Sequence, residues 1–243
     1  MVRSSARKRI SEAGARHQRH CCSNVACLLG VRHPTPSCLP ISLTSSSRIN
    51  TNVSKVSYWI IAHLVFNESL IDIIRTESAP AFKDDGSIDV KYLAQSCPIL
   101  NSIWLEALRV SASSTTMRYI TQDEWLGNYL LRKGRALMIS ARQLHYDQTT
   151  FGANAANFDP FRFLNDPHLH RSNSFRPFGG GKTLCPGRHL SKWIVLSFVA
   201  IVFRRYDVRL AKPQPFPRYH ESKPAIGIIS GCDDLILDLK ERI

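Results

Sequence analysis

The sequence predicts a mainly α fold with small β-sheets, and three observations carry that prediction. Apolar residues recur at helical spacing through 56–74, 98–110 and 190–203. Short β-prone runs at 117–121 and 135–140, separated by a turn near Gly127-Asn128, have room only for small sheets. Finally, the stretch Phe178-Gly179-Gly180-Gly181-Lys182-Thr183-Leu184-Cys185-Pro186-Gly187 fits no regular element. Three glycines in succession give up packing and chain entropy, which a fold tolerates where backbone bends sharply or passes close to a large flat surface.

Residues 1–48 precede the periodic part and show no convincing period: Ser- and Arg-rich, then Cys-rich, then Pro34, Pro36, Pro40 and Ser45-Ser46-Ser47. Three readings stay open for them: a disordered segment, an organellar transit peptide, and a segment that does not belong to the domain. The domain itself is placed at 49–243. It begins with a long helix through Val56, Trp59, Ile60, Ile61, Leu64 and Val65, and a shorter one through Leu70, Ile71 and Ile74. A polar loop follows at Lys83–Ser87, and Pro98 opens a helix reaching Val110. Glu106 and Arg109 share one face of that helix at i and i+3, a spacing that by itself is most often a surface ion pair. After the two strands comes a polar, aromatic-dotted stretch, 146–157, which ends in Phe158-Asp159-Pro160-Phe161-Arg162-Phe163. The apolar run 190–203 is a buried helix, and 226–229 with 235–239 reads as a terminal hairpin.

Composition narrows the function classes. The formal charge is +13, but Arg3, Arg7, Lys8, Arg9, Arg16, Arg19, Arg32 and Arg48 meet only Glu12 before residue 50. Without aromatic interleaving this basic segment makes no nucleic-acid platform, so no nucleic-acid partner is expected. The cysteines number 7. Cys21, Cys22, Cys27 and Cys38 lack the paired spacing of a zinc site, and an odd count without a secretory signal points to a reducing compartment. The longest apolar run, 193–203, is too short to span a bilayer, so no membrane anchor is expected in this chain.

Cys185 sits just before a helix start, where the dipole favours thiolate, and a thiolate in a glycine loop suits a metal better than a disulfide. The loop resembles the haem-binding Phe-x-x-Gly-x-x-x-Cys-x-Gly of cytochromes P450, with Phe178, Gly181, Cys185 and Gly187 on its fixed positions. The order of motifs is also similar to that family: Glu106-x-x-Arg109, then Pro160-Phe161-Arg162, then Cys185, at separations of 162 − 109 = 53 and 185 − 109 = 76 residues. The resemblance implies the C-terminal portion of the P450 fold, with the N-terminal half missing. It implies a haem b bound through the Cys185 thiolate, which favours O–O cleavage, and Phe178 packed near the sulfur. Glu106, Arg109 and Arg162 would form a buried structural triad. Arg118 falls at a haem-propionate position, with an ordinary exposed strand residue as the equal alternative, and Thr183 stands where most members carry a propionate-binding cation.

Residues 50–59 are similar to the distal half of the helix that crosses the family's oxygen-binding face. Asn52 stands at the oxygen-activating position, at 185 − 52 = 133 residues before the cysteine, with Thr51 as the alternative register. Ala107–Ser114 and Lys182–Arg188 resemble fungal members related to the sterol 7α/12α-hydroxylase and prostacyclin synthase branch.

The implied function is a monooxygenase, truncated in this chain, acting on a lipophilic sterol- or lipid-like substrate that faces Val110–Thr116 and Ala225–Ile229. The alternatives are a non-catalytic haem-binding remnant and an oxygen-independent isomerase. The implied partner is a P450 reductase, through which NADPH acts only indirectly, with Lys182, Arg188 and Lys192 as part of a docking face or simply a solvated helix start. The resemblance suggests the cytosolic face of the endoplasmic reticulum.

Overall fold

A computed structural model describes residues 47–220 and 225–242; the readings of residues 1–46 lie outside the described residues. Five helices build the body: α1 (Ser47–Val65), α2 (Glu68–Ser78), α3 (Val90–Ser96), α4 (Pro98–Ser111) and, late in the chain, α8 (Arg188–Arg205). Three short helices lie between α4 and α8: α5 (Ala141–His145), α6 (Gln148–Phe151) and α7 (Arg162–Asn165). Six strands make three two-stranded antiparallel ladders: β1 (Thr115–Tyr119) with β4 (Ala136–Ser140), β2 (Glu124–Leu126) with β3 (Tyr129–Leu131), and β5 (Tyr206–Leu210) with β6 (Leu237–Glu241). The mainly α class with small sheets is what the structure has.

The core lies where α8 packs on α1, α2, α3 and α4. Val195, Leu196, Val199, Ala200, Val202 and Phe203 of α8 meet Trp59, Ile60 and Leu64 of α1 and Leu100, Ile103 and Ala107 of α4, all buried in one cluster. Truncating one such fully buried leucine costs about 2–5 kcal/mol, so this cluster holds the body together. The position of α4 is fixed at its first turn. Pro98 occupies it without needing a donor, and the Glu77 carboxylate from the end of α2 accepts from the N–H groups of Ile99 (2.8 Å) and Leu100 (2.9 Å). A carboxylate there also meets the positive end of the helix dipole.

Two expectations shift. Helix α3, missing from the periodicity reading, is short but starts on a proper cap, the Asp89 side chain accepting from the Tyr92 N–H at 2.9 Å. The terminal hairpin does not form. Residues 237–241 pair instead with β5, register Val208 to Leu239, which leaves α8 without a break. Residues 226–229 pair through Ile228 with Ala112, just past α4.

Candidate functional site

Glu106, Arg109 and Arg162, the three residues that the resemblance groups as a triad, lie against one another. Glu106 and Arg109 are 0% exposed and Arg162, brought in by α7, is 7% exposed. Arg109 Nε and Nη2 make a bidentate fork on Glu106 at 2.8 and 2.7 Å, and Arg162 Nε reaches the same carboxylate at 3.1 Å. The backbone N–H of Asp159 adds a fourth bond to that carboxylate at 3.0 Å. Burying charge is costly unless every polar group is paired, and here every one is. An arginine carries five donors; the remaining ones of Arg109 go to the carbonyls of His145, Ala155 and Asn157. Those of Arg162 go to Phe151, Asn154 and Asn157, with the Asn154 side-chain oxygen as one further acceptor. The two guanidiniums thereby shape the main chain of 145–157, a stretch with only one turn of helix of its own.

His145 carries that order to the cysteine loop. It is fully buried, its Nδ1 2.9 Å from the Arg109 carbonyl, and its Nε2 accepts from the backbone N–H of Arg176 at 2.9 Å. Since Nε2 accepts, the proton sits on Nδ1. Burial, reinforced by the adjacent Arg109 charge, pulls the pKa of His145 down to about 4, so the ring stays neutral.

From Arg176 the chain turns into the loop. Phe178 is half-buried; its ring lies 6.0 Å from that of Trp104 on α4, and its carbonyl accepts from the Cys185 N–H at 3.0 Å. Gly181 takes φ +59°, a left-handed value that a side chain would strain. Gly187 caps α8 with an ordinary φ of −80°; a Cβ there would stand 3.9 Å from Cys185 Sγ, so this glycine leaves open space beside the sulfur. Cys185 itself is half-buried and free of any disulfide.

Arg118 is exposed on β1 and donates to Thr183 Oγ1 at 2.7 Å and to the Met117 carbonyl at 2.8 Å. It therefore brings a cation to the one loop position where a cation was expected and a threonine stands. Arg118, Thr116 and Ile139 from the β1–β4 ladder, with Arg176, Gly179 and Gly180 from the loop, line a cleft of about 300 Å³. Of the three basic residues near the loop, Arg188 donates to the Cys185 carbonyl and Lys192 to that of Ala94, where burial lowers its pKa; both are turned inward rather than outward.

Asn52, expected at the oxygen-activating position, lies on α1 against residues 226–228. Its amide nitrogen donates to the Ile226 carbonyl (3.3 Å) and its amide oxygen accepts from the Ile228 N–H (3.0 Å), so both ends are engaged by backbone. Thr51 is half-buried beside it, its carbonyl accepting from the Ser54 hydroxyl. The two segments expected to face substrate come together: Ile229 N–H donates to the Ser111 carbonyl and Ser113 N–H to that of Gly227, at 2.9 and 2.7 Å.

A loop built this way suits a metal held by a single sulfur. No group of three or more His, Cys, Asp or Glu side chains able to hold an ion exists among the described residues, and a haem iron asks the protein for one ligand. The loop offers a free, half-buried sulfur, and Arg118 and Arg176 line the cleft beside Gly179 and Gly180; a thiolate donor and cations are the groups that a haem iron and its anionic propionates would use. No helix among the described residues is long and apolar enough to cross a membrane.

The family model described as Cytochrome P450 matches residues 51–231. The cytochrome P450 monooxygenase nodJ of Hypoxylon pulicicidum is 23% identical over 83% of this chain and 43% of its own length. Abscisic acid 8'-hydroxylase 4 of Arabidopsis thaliana is 32% identical over 69% of this chain and 37% of its own, and the monooxygenase poxD of Penicillium oxalicum 28% over 65% and 34%. The chain thus spans less than half the length of these relatives.

Proposed function

The chain belongs to the cytochrome P450 family, and from that premise we propose that it serves a haem-thiolate monooxygenase acting on a lipophilic, sterol- or lipid-like molecule. The observation that carries the proposal is the continuous set of bonds from the buried Glu106–Arg109–Arg162 triad, through His145, to a loop that presents the free sulfur of Cys185. Bound through that sulfur, a haem supplies one-electron oxygen chemistry, with thiolate ligation favouring O–O cleavage.

The chain's own residues supply the rest. Cys185 would hold the haem iron through its thiolate. Phe178, packed toward Trp104, shields the sulfur side from water. Arg118, with Thr183 held against it, pairs a haem propionate. Thr51 offers a hydroxyl that can move a proton on the oxygen side. The aliphatic side chains of 225–229, paired with the small, largely hydroxyl-bearing ones of 110–116, give a wall that can take a hydrophobic molecule. Thr183, Asn52 and the run Ala107–Ser114 favour kinship with the fungal members near the sterol hydroxylase and prostacyclin synthase branch. A flavoprotein reductase at the endoplasmic reticulum surface is the electron donor proposed with this reading.

Loading the chain with haem, reducing it and adding carbon monoxide tests the proposal. A red-shifted thiolate Soret band is expected, with Cys185→Ser abolishing it. A chain that takes up no haem, or a band unchanged by Cys185→Ser, would overturn it.

A further inference from the structure

One face of α1 is committed to a single strip of backbone far along the chain. Asn52, Lys55, Tyr58 and Trp59 follow helical spacing, and each ends on a main-chain group between 226 and 233. Beyond the two bonds of Asn52, Lys55 Nζ donates to the Ile228 carbonyl (3.2 Å), Trp59 Nε1 to that of Ile229 (2.9 Å) and Tyr58 Oη to that of Asp233 (2.8 Å). The strip is fitted to these side chains. A Cβ on Gly227 would lie 2.6 Å from both the nitrogen and the oxygen of the Asn52 amide, and Gly227 sits at φ +109°. A Cβ on Gly231 would lie 2.9 Å from Tyr58 Oη.

An asparagine amide has the donor and acceptor of a peptide group. Asn52 uses them as a neighbouring strand does, giving a donor to one residue and taking one from the residue two further on. The opposite edge of the strip is held by Ser111 and Ser113, so residues 226–229 lie between a real strand neighbour and a side-chain imitation of one. Ile226, at the free end of this clamped strip, is 95% exposed. An apolar side chain on backbone fixed at both edges is pre-organised for contact, with little left to lose on binding.

We propose that Asn52 is a positioning and specificity-determining residue: its amide sets the backbone of 226–228 and so aims Ile226 at the apolar part of a substrate. This rests on the haem-enzyme reading above and changes the part Asn52 plays in it. An amide with both ends engaged by the 226–228 backbone acts on the substrate wall, not on oxygen.

Two arms test it. Hydrogen exchange at the Ile228 amide reads the clamp directly in the full chain, whatever its haem content; Asn52→Ala and Gly227→Ala are each expected to speed it by about tenfold or more. In the haem-loaded chain, imidazole and N-octylimidazole serve as probes that ligate iron and differ only in an apolar tail. Both variants, and Ile226→Ala, are expected to leave imidazole affinity unchanged and to cut the preference for the octyl probe by about tenfold. Gly227→Ala leaves the Asn52 side chain in place, so agreement between the two variants assigns the effect to the contact itself. Faster exchange with an unchanged octyl preference would overturn the specificity role. Unchanged exchange beside a normal imidazole spectrum would overturn the clamp alone, whereas a wild-type chain giving no imidazole spectrum would sink the haem reading and the recognition part with it.

Discussion

The triad and the cysteine loop are neighbours in the fold but opposites in construction. In the triad, charged side chains are fully buried and every donor is matched, so order comes from side-chain hydrogen bonds to the carbonyls of 145–157. In the loop, Gly181, Lys182, Thr183 and Leu184 are exposed, and shape comes mostly from backbone turns, with a few side-chain bonds such as Arg118 to Thr183 and Arg188 to the Cys185 carbonyl. The difference teaches where stability and chemistry are kept. The triad is costly to disturb and far from reactive; the loop is cheap to disturb and holds the sulfur. His145 joins the two, bonding at Arg109 and at Arg176.

Breaking the triad should have the largest effect. Glu106→Ala leaves two buried guanidiniums without their carboxylate, an expected loss of about 3–5 kcal/mol from a total that for such domains is only about 5–15 kcal/mol. Chemical denaturation of the chain reads it, and Arg162→Lys, which keeps the charge but not the planar fork, should lose less but remain clearly destabilised. Acid should attack the link next. His145 has a folded pKa of about 4 against an unfolded value of about 6.5, so its contribution is fully present above about pH 6.5 and lost as pH falls toward 4, in total about 3 kcal/mol. A stability profile over that range is expected to flatten in His145→Gln, whose side chain does not titrate.

In the loop the effects shrink. Gly181→Ala meets no atom within 4 Å, so only its left-handed φ is strained, at about 1 kcal/mol. Arg118→Gln, at an exposed position, should shift stability by no more than about 0.5 kcal/mol while weakening haem retention, measured by transfer of haem to an acceptor protein. If either loop variant matched the loss from Glu106→Ala, the contrast between the two regions would fail.

The parts of this structure that rest on side-chain pattern were legible in the sequence. The helical periods and the Gly-Cys loop announce themselves by residue type at a spacing, whereas Glu106, Arg109 and the distant Arg162 are joined only by the resemblance to the P450 order of motifs. What was not legible depends on backbone partners. The acceptors of the two arginines are main-chain carbonyls, which leave no mark on composition, so 146–157 read as an unremarkable polar stretch. His145 is a lone histidine just before that stretch, and nothing in its neighbours signals that it is buried between Arg109 and Arg176. The 226–229 run is apolar enough for a strand, but composition does not name a strand's partner; it lies beside 111–113 and α1 rather than in a hairpin with 235–239. Asn52 was placed by counting back from Trp59 along a helix similar to the family's, a count that says nothing of Gly227, whose missing side chain makes room for it.

The most direct test of the separation between supporting triad and reactive loop is thermal unfolding of the haem-free chain with Cys185→Ser beside Glu106→Ala. Cys185→Ser is expected to unfold within about 1 kcal/mol of wild type, with Glu106→Ala far below both. Equal losses in the two variants would show that the sulfur and the buried charges belong to one structural unit, and would contradict the separation.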